Sequence, residues 1–204
     1  SDAPRKTVTC FPSHAVERVA ASKIACVCAR GHRIDASVPN QDDFLLAMCS
    51  WGSQGRVALY GVFDGHGTAG HRCAALARGF LPERIFGDPN LLNSPEQVLT
   101  DAFREAQQEM LRRDPQETQN SGTTATVALV LEEGDEWQSD ELNLQRGQPG
   151  TFVYTAHVGD SRAVLATRGD DDGGSGSSGA FTVTSLTRDH RPDDAIEAER
   201  VKQP

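Results

Sequence analysis

The sequence predicts an α+β fold, with antiparallel sheet and helices packed outside it, and argues against a doubly wound parallel sheet. Three observations carry this. Six apolar runs rich in β-branched residues read as strands. Two amphipathic helices stand together in mid-chain, so strands and helices segregate instead of alternating. A length of 204 residues, 37% hydrophobic and 24% charged, suits one domain with a core and is too mixed for a disordered chain.

The strands are Lys23–Cys28, Asp43–Met48, Val57–Phe63, Thr124–Leu131, Thr151–Val158 and Phe181–Leu186, with a further short one, Ala163–Ala166, after a Gly-Asp-Ser-Arg turn. Val57–Phe63 is apolar almost throughout, as in a strand covered on both faces. After Gly70, the residues Cys73, Leu76, Ala77, Phe80 and Leu81 form one apolar helical stripe. The second helix opens at Ser94-Pro95-Glu96-Gln97. Ser94 suits the N-cap, Pro95 the first helical position, and Gln97 closes a capping box. Its stripe is Leu99, Ala102, Phe103, Ala106 and Met110. A third helix starts near Pro192-Asp193-Asp194. Glu132–Gly150 and the Gly/Ser-rich Arg168–Ala180 read as loops inserted between paired strands.

Charge narrows the function. Lys and Arg total 20 against 29 Asp and Glu, a net charge of −9, and nucleic-acid binding needs the opposite sign. No apolar run approaches the ~18 residues of a membrane span, and the N-terminus has no apolar signal core. Five cysteines, Cys10, Cys26, Cys28, Cys49 and Cys73, are odd in number and irregularly spaced, which points to a reducing, intracellular setting. Cys26 and Cys28 would face one side of a strand. A zinc half-site there lacks a second Cys/His pair, so both are expected to be small buried apolar residues.

Four segments lie at strand termini: Asn40-Gln41-Asp42-Asp43, Val62-Phe63-Asp64-Gly65-His66-Gly67, Ser121-Gly122-Thr123-Thr124 and Gly159-Asp160-Ser161-Arg162. Side chains placed there can converge at one end of a sheet without being buried in it. Asp64 follows an apolar strand, so it sits where the chain first meets water. Gly65 lacks a Cβ, which lets its carbonyl approach an ion closely. Carboxylates and a carbonyl are hard oxygen donors that suit Mg²⁺ or Mn²⁺ better than Zn²⁺. An ordinary Asp-Gly turn is the plain alternative, and the other strand-end motifs weigh against it. Of Asp42 and Asp43 only one can face the side of Asp64, since strand neighbours alternate; Asp42 is the choice. Asp160 leads a tight turn, where bonding to the turn's own backbone is the competing role. A thiol mechanism is disfavoured: only four residues, Ala74 to Ala77, separate Cys73 from Arg78, and they lie on an apparent helix.

These segments, in this order, together with Leu81-Pro82 and Leu186-Thr187-Arg188-Asp189-His190-Arg191-Pro192, resemble the metal-dependent serine/threonine protein phosphatases of type 2C, in their plant and protist branch. The resemblance implies a sandwich of two antiparallel sheets flanked by helices, in the order α-β-β-α. It divides the chain into an extension, 1–22, and a phosphatase-like portion, 23–204. It implies a pair of Mn²⁺ or Mg²⁺ ions at one end of the sheets, with Asp64 bridging both and the Gly65 carbonyl on one. Asp42 would help hold an ion, and Asp160 would serve a weaker third site. His66 would be the general acid, and Arg33, with Arg30 as the other candidate, the phosphate-binding residue. The implied reaction is hydrolysis of phosphoserine or phosphothreonine in proteins by metal-activated water, in a monomer of the cytoplasm or nucleus.

Two departures bear on this. The family's later metal-binding segments, Asp-Gly-x-Trp-Asp and Asp-Asn, have no counterpart: Asp172-Gly173 is followed by no Trp, and no Asp-Asn pair occurs. The chain is therefore expected to be the N-terminal portion of a longer phosphatase. It would have a sheet assembly incomplete at the C-terminus, with unpaired edges, and little turnover on its own. A pseudophosphatase or impaired fragment that acts as a binding module is the alternative.

Overall fold

The computed structural model describes residues 24–29, 39–50, 55–133, 150–168 and 181–202. In chain order the elements are β1 (Asp43–Ser50), β2 (Gly55–Phe63), β3 (Gly65–Gly67), α1 (Gly70–Phe86), α2 (Pro95–Arg113), α3 (Pro115–Thr118), β4 (Ser121–Thr123), β5 (Ala125–Glu133), β6 (Thr151–Val158), β7 (Val164–Arg168), β8 (Phe181–Ser185) and α4 (Ala195–Lys202). This is the expected α+β class, with every strand pair antiparallel.

The main sheet has the order β1-β2-β5-β6. Alternation puts Val57, Leu59 and Phe63 of β2 and Ala125, Val127, Leu129 and Leu131 of β5 on one buried face. The register pairs Leu59 with Leu129, and Leu129 with Tyr154, so apolar side chains sit side by side across strands. Ala74, Ala77, Leu81 and Ile85 of α1 and Val98, Leu99, Ala102 and Ala106 of α2 close the core. Each leucine buried there contributes about 1.5–3 kcal/mol. Arg84 of α1 clamps α2 through Glu105, at 2.6 and 3.1 Å. No helix among the described residues is long and apolar enough to cross a membrane.

Several expectations are corrected. Residues 24–29 form no strand, and Val27 is 90% exposed; a strand needs a partner, and among the described residues none pairs with this run. Cys26 is accordingly exposed and Cys28 half-buried, whereas Cys73 is buried on α1. β2 is covered on both faces along part of its length, Ala58 being buried on the second face, but towards its end Val62 on that face is 46% exposed. Ser94 makes no side-chain cap; its carbonyl accepts Val98 N at 3.1 Å, and Gln97 instead donates to Asp101 at 2.8 Å. Asp194 does cap α4, its Oδ1 accepting the amides of Ile196 and Glu197 at 2.9 and 3.2 Å. Among the described residues the helices α1 and α2 cover one sheet face, and β7–β8 form a separate two-stranded sheet whose residues are all exposed. The inserted loops fall largely on 134–149 and 169–180, outside the described residues.

Gly79 lies in the interior of α1, exposed, with open space where a Cβ would stand. Gly79→Ala should stabilise the chain by roughly 0.5–1 kcal/mol, read as a higher midpoint in urea with an unchanged slope. A lower midpoint would contradict the placement of this residue.

Candidate functional site

β2 ends at Phe63, which is buried, and the next residue, Asp64, is exposed. The chain turns there into β3, which pairs with β4 in the register Gly65 with Thr123, His66 with Gly122 and Gly67 with Ser121. A two-way clasp fixes the turn. Thr124 N donates to the Asp64 carbonyl at 2.8 Å, and Asp64 N donates to Thr124 Oγ1 at 3.0 Å. Thr124 Oγ1 also lies 2.6 Å from Ser161 Oγ, and Thr126 Oγ1 donates to the Ser161 carbonyl at 2.8 Å. The turn that carries Asp160 is thereby tied to the turn that carries Asp64.

The motif before β1 splits by strand alternation. Asp43 turns inward, where Arg78 Nε lies 3.0 Å from its Oδ2 as an ion pair, off the angle of a hydrogen bond. Asp42 faces outward. Asn40 and Gln41 are buried supports: Asn40 Oδ1 accepts Asp42 N at 3.2 Å, and Gln41 Nε2 donates to the Gly67 carbonyl at 2.5 Å. Gly65 has no room for a side chain, since a Cβ there would stand 2.5 Å from the Gln41 carbonyl and closer still to that of Gly70. The need for glycine is thus explained by backbone packing between three segments.

Asp42, Asp64, Asp160 and His66 are all exposed; Asp42 and Asp64 line one groove, whereas His66 borders a hollow between the two long helices and β4. Asp64 is pushed above the ordinary carboxylate value, first by partial burial, then by Asp42, which is close enough to hydrogen-bond it, and by the charge of Asp160; His66 acts in the opposite direction. Among the described residues no three His, Cys, Asp or Glu side chains close into a ready cation cage. The donor set still fits a hard dication, because Mg²⁺ is commonly held by one or two carboxylates with water completing its shell. Arg33 and Arg30 lie outside the described residues.

A groove of about 390 Å³ opens beside Asp42 and Asp64, with Cys28, Phe44 and Ser161 in its wall. Larger hollows of about 680 and 830 Å³ lie at the start of α2 and along 185–194. In the latter the carboxylates are paired with arginines: Asp189 with Arg162 at 2.8 Å, Asp194 with Arg188 at 2.6 Å and Asp193 with Arg191 at 3.4 Å. Arg162 holds Asp189 below the ordinary carboxylate value. His190 stacks on His157 at 4.5 Å, and His157 Nε2 donates to the Arg188 carbonyl at 2.6 Å, so the Asp-His motif anchors this turn. Cys73 is buried and Arg78 faces Asp43, so this cysteine and arginine form no anion loop. Reading by motif missed Thr124, Ser161 and Gln41 as supports; the strand-end position of Thr124 was the available signal.

Antiparallel sheets, flanking helices and carboxylates carried at strand ends define an α+β protein. The chain belongs to the protein phosphatase 2C family, whose model matches residues 29–204. It is 32% identical over 163 residues to probable protein phosphatase 2C 35 of Arabidopsis thaliana, covering 80% of this chain and 39% of that one. It is 33% identical over 167 residues to probable protein phosphatase 2C 64 of Oryza sativa subsp. japonica, covering 79% and 34%. The chain thus spans well under half the length of these relatives. In fold it is similar to the serine-threonine phosphatase 2C of Toxoplasma gondii, with a TM-score of 0.53 and 21% identity over 84% of this chain and 50% of that one. A C. elegans sex determining protein gives a TM-score of 0.53 at 22% identity, over 86% and 36%.

The raised Asp64 value has a consequence for stability. A carboxyl whose folded value lies above its unfolded value favours the fold while protonated. That contribution is lost as pH rises through the folded value. Asp64→Asn should therefore raise the melting temperature of the metal-free chain at pH 7, and the gain should vanish below the ordinary carboxylate range. A variant that melts lower at pH 7 would refute carboxylate repulsion at this rim.

Proposed function

We propose that this chain carries the metal- and proton-handling rim of a serine/threonine protein phosphatase, which hydrolyses phosphoserine and phosphothreonine in other proteins. The observation that supports it most is that Asp42 and Asp64, from separate strand ends, line one groove, with Asp160 on a turn tied to Asp64 through Thr124 and Ser161. Asp64 and Asp42 would hold Mn²⁺ or Mg²⁺, the Gly65 carbonyl would add a neutral oxygen, and Asp160 would serve a further, weaker site. Bound there, the dications would neutralise phosphate charge and acidify water.

The chain's own residues supply the rest. Asp64 hangs from a backbone held at both its amide and its carbonyl, which sets the point from which its side chain projects. His66 is exposed on β3, two residues from Asp64, and would serve as the proton donor to the leaving oxygen. A seryl alkoxide is a poor leaving group, so an imidazolium proton delivered to that oxygen lowers the barrier. The exposed rim suits a phosphate carried on the surface of a second protein. Arg33 is retained as the proposed phosphate-binding residue.

Calorimetric titration tests the cation site. Mn²⁺ should bind the wild-type chain measurably and Asp64→Asn at least about tenfold more weakly, since one of the carboxylates in contact is lost. Equal binding to both removes the site. Turnover tests the proton donor: His66→Gln should slow hydrolysis of a phosphoserine peptide by about a hundredfold and that of 4-nitrophenyl phosphate far less, because the aryl oxide departs without a proton. Equal losses on both substrates would exclude His66 from that role.

A further inference from the structure

We infer that Gly122 is the positioning residue for His66, a role that rests on reading His66 as the proton donor. The two are direct partners in the β3–β4 ribbon. Directly opposed residues in an antiparallel pair project side by side on the same face, about 4.5–5.5 Å apart at Cβ. With no side chain at 122, the imidazole lies over the vacant place: a Cβ there would stand 2.9 Å from both Cε1 and Nε2 of His66. Real Cβ atoms do not approach heavy atoms that closely, so any other residue at 122 displaces the ring or the ribbon.

The ribbon is the part that resists. Ser121 Oγ accepts Ala69 N at 2.9 Å and lies 3.3 Å from Thr68 Oγ1. Gln41 Nε2 holds the Gly67 carbonyl, Gly67 sits at φ +81° hard against Asn120, and Gly65 is wedged between Gln41 and Gly70. The ring, by contrast, turns about its own side-chain torsions. It also borders a cavity of about 250 Å³ between α1, α2 and β4, lined by Phe103, Met110 and Thr123 among others, which gives a displaced ring somewhere to go. Gly122 therefore sets where the ring nitrogens of His66 stand relative to Asp64, and an alanine there shifts them while the fold persists.

The test needs no turnover, so it stands apart from the acid role of His66. In the wild-type chain, NMR at fixed pH should show a nuclear Overhauser contact between His66 Hε1 and a Gly122 Hα. In Gly122→Ala the His66 ring resonances should shift and those of His157 and His190 should not. Gly79→Ala, remote from the site, should leave all of them in place. A double-mutant cycle guards against a folding defect: any loss of melting temperature in Gly122→Ala should be recovered in the His66→Ala background, where the ring is gone. Unmoved His66 resonances in a folded Gly122→Ala, or a melting loss that persists without the ring, would overturn the assignment.

Discussion

The reciprocal hydrogen bonds between Asp64 and Thr124 are the constraint on which the site's geometry turns. They close β2 onto the start of β5 where the main sheet stops, and so fix the backbone from which Asp64 projects. Through Thr124 the same node reaches Ser161, next to Asp160. A single threonine therefore sets the spacing of two carboxylates that are far apart in sequence. Losing it would remove a hydrogen bond worth about 0.5–1.5 kcal/mol net and would loosen both turns.

That rigidity matters because the rim is electrostatically uncomfortable. Asp64 bears the repulsion of Asp42 and Asp160 in addition to its own partial burial. The rest of the fold handles its carboxylates differently. Asp43, Asp189, Asp194 and Glu109 each have an arginine within 3.0 Å, and Glu109 is held at about 2 by Arg112 and Arg113. Asp64 differs from these four in that burial first, and then the neighbouring Asp42 and Asp160, push its carboxyl above the ordinary value.

Long apolar runs were legible in the sequence because alternation and helical stripes are local patterns: β1, β2, β5, β6, α1 and α2 all follow them. Alternation required Asp42 and Asp43 to face opposite ways, and the structure leaves Asp42 exposed and Asp43 buried. Residues 24–29 misled because apolar character alone does not make a strand; an edge to pair with does. β3 and β4 escaped because three residues are too few to express a period. The supports of the site escaped for a different reason. Thr124 bonds Asp64 across 60 positions and Ser161 across 37, and no spacing rule connects them. Their motifs were visible, but their partners were set by tertiary register.

The glycines show how register becomes chemistry. A sequence motif with glycines on either side of a histidine suggests room for an ion, and at Gly65 the structure supplies another cause: three backbones meet there with no space for a Cβ. That close packing draws the segment before β1, the end of β2 and the start of α1 together, and so delivers Asp42 to Asp64. Gly122, in a motif with no obvious reactive group, leaves the space that the His66 ring fills. At this rim the residues without side chains determine where those with reactive side chains stand. A reading of the site confined to carboxylates and histidine would therefore omit half of what specifies it.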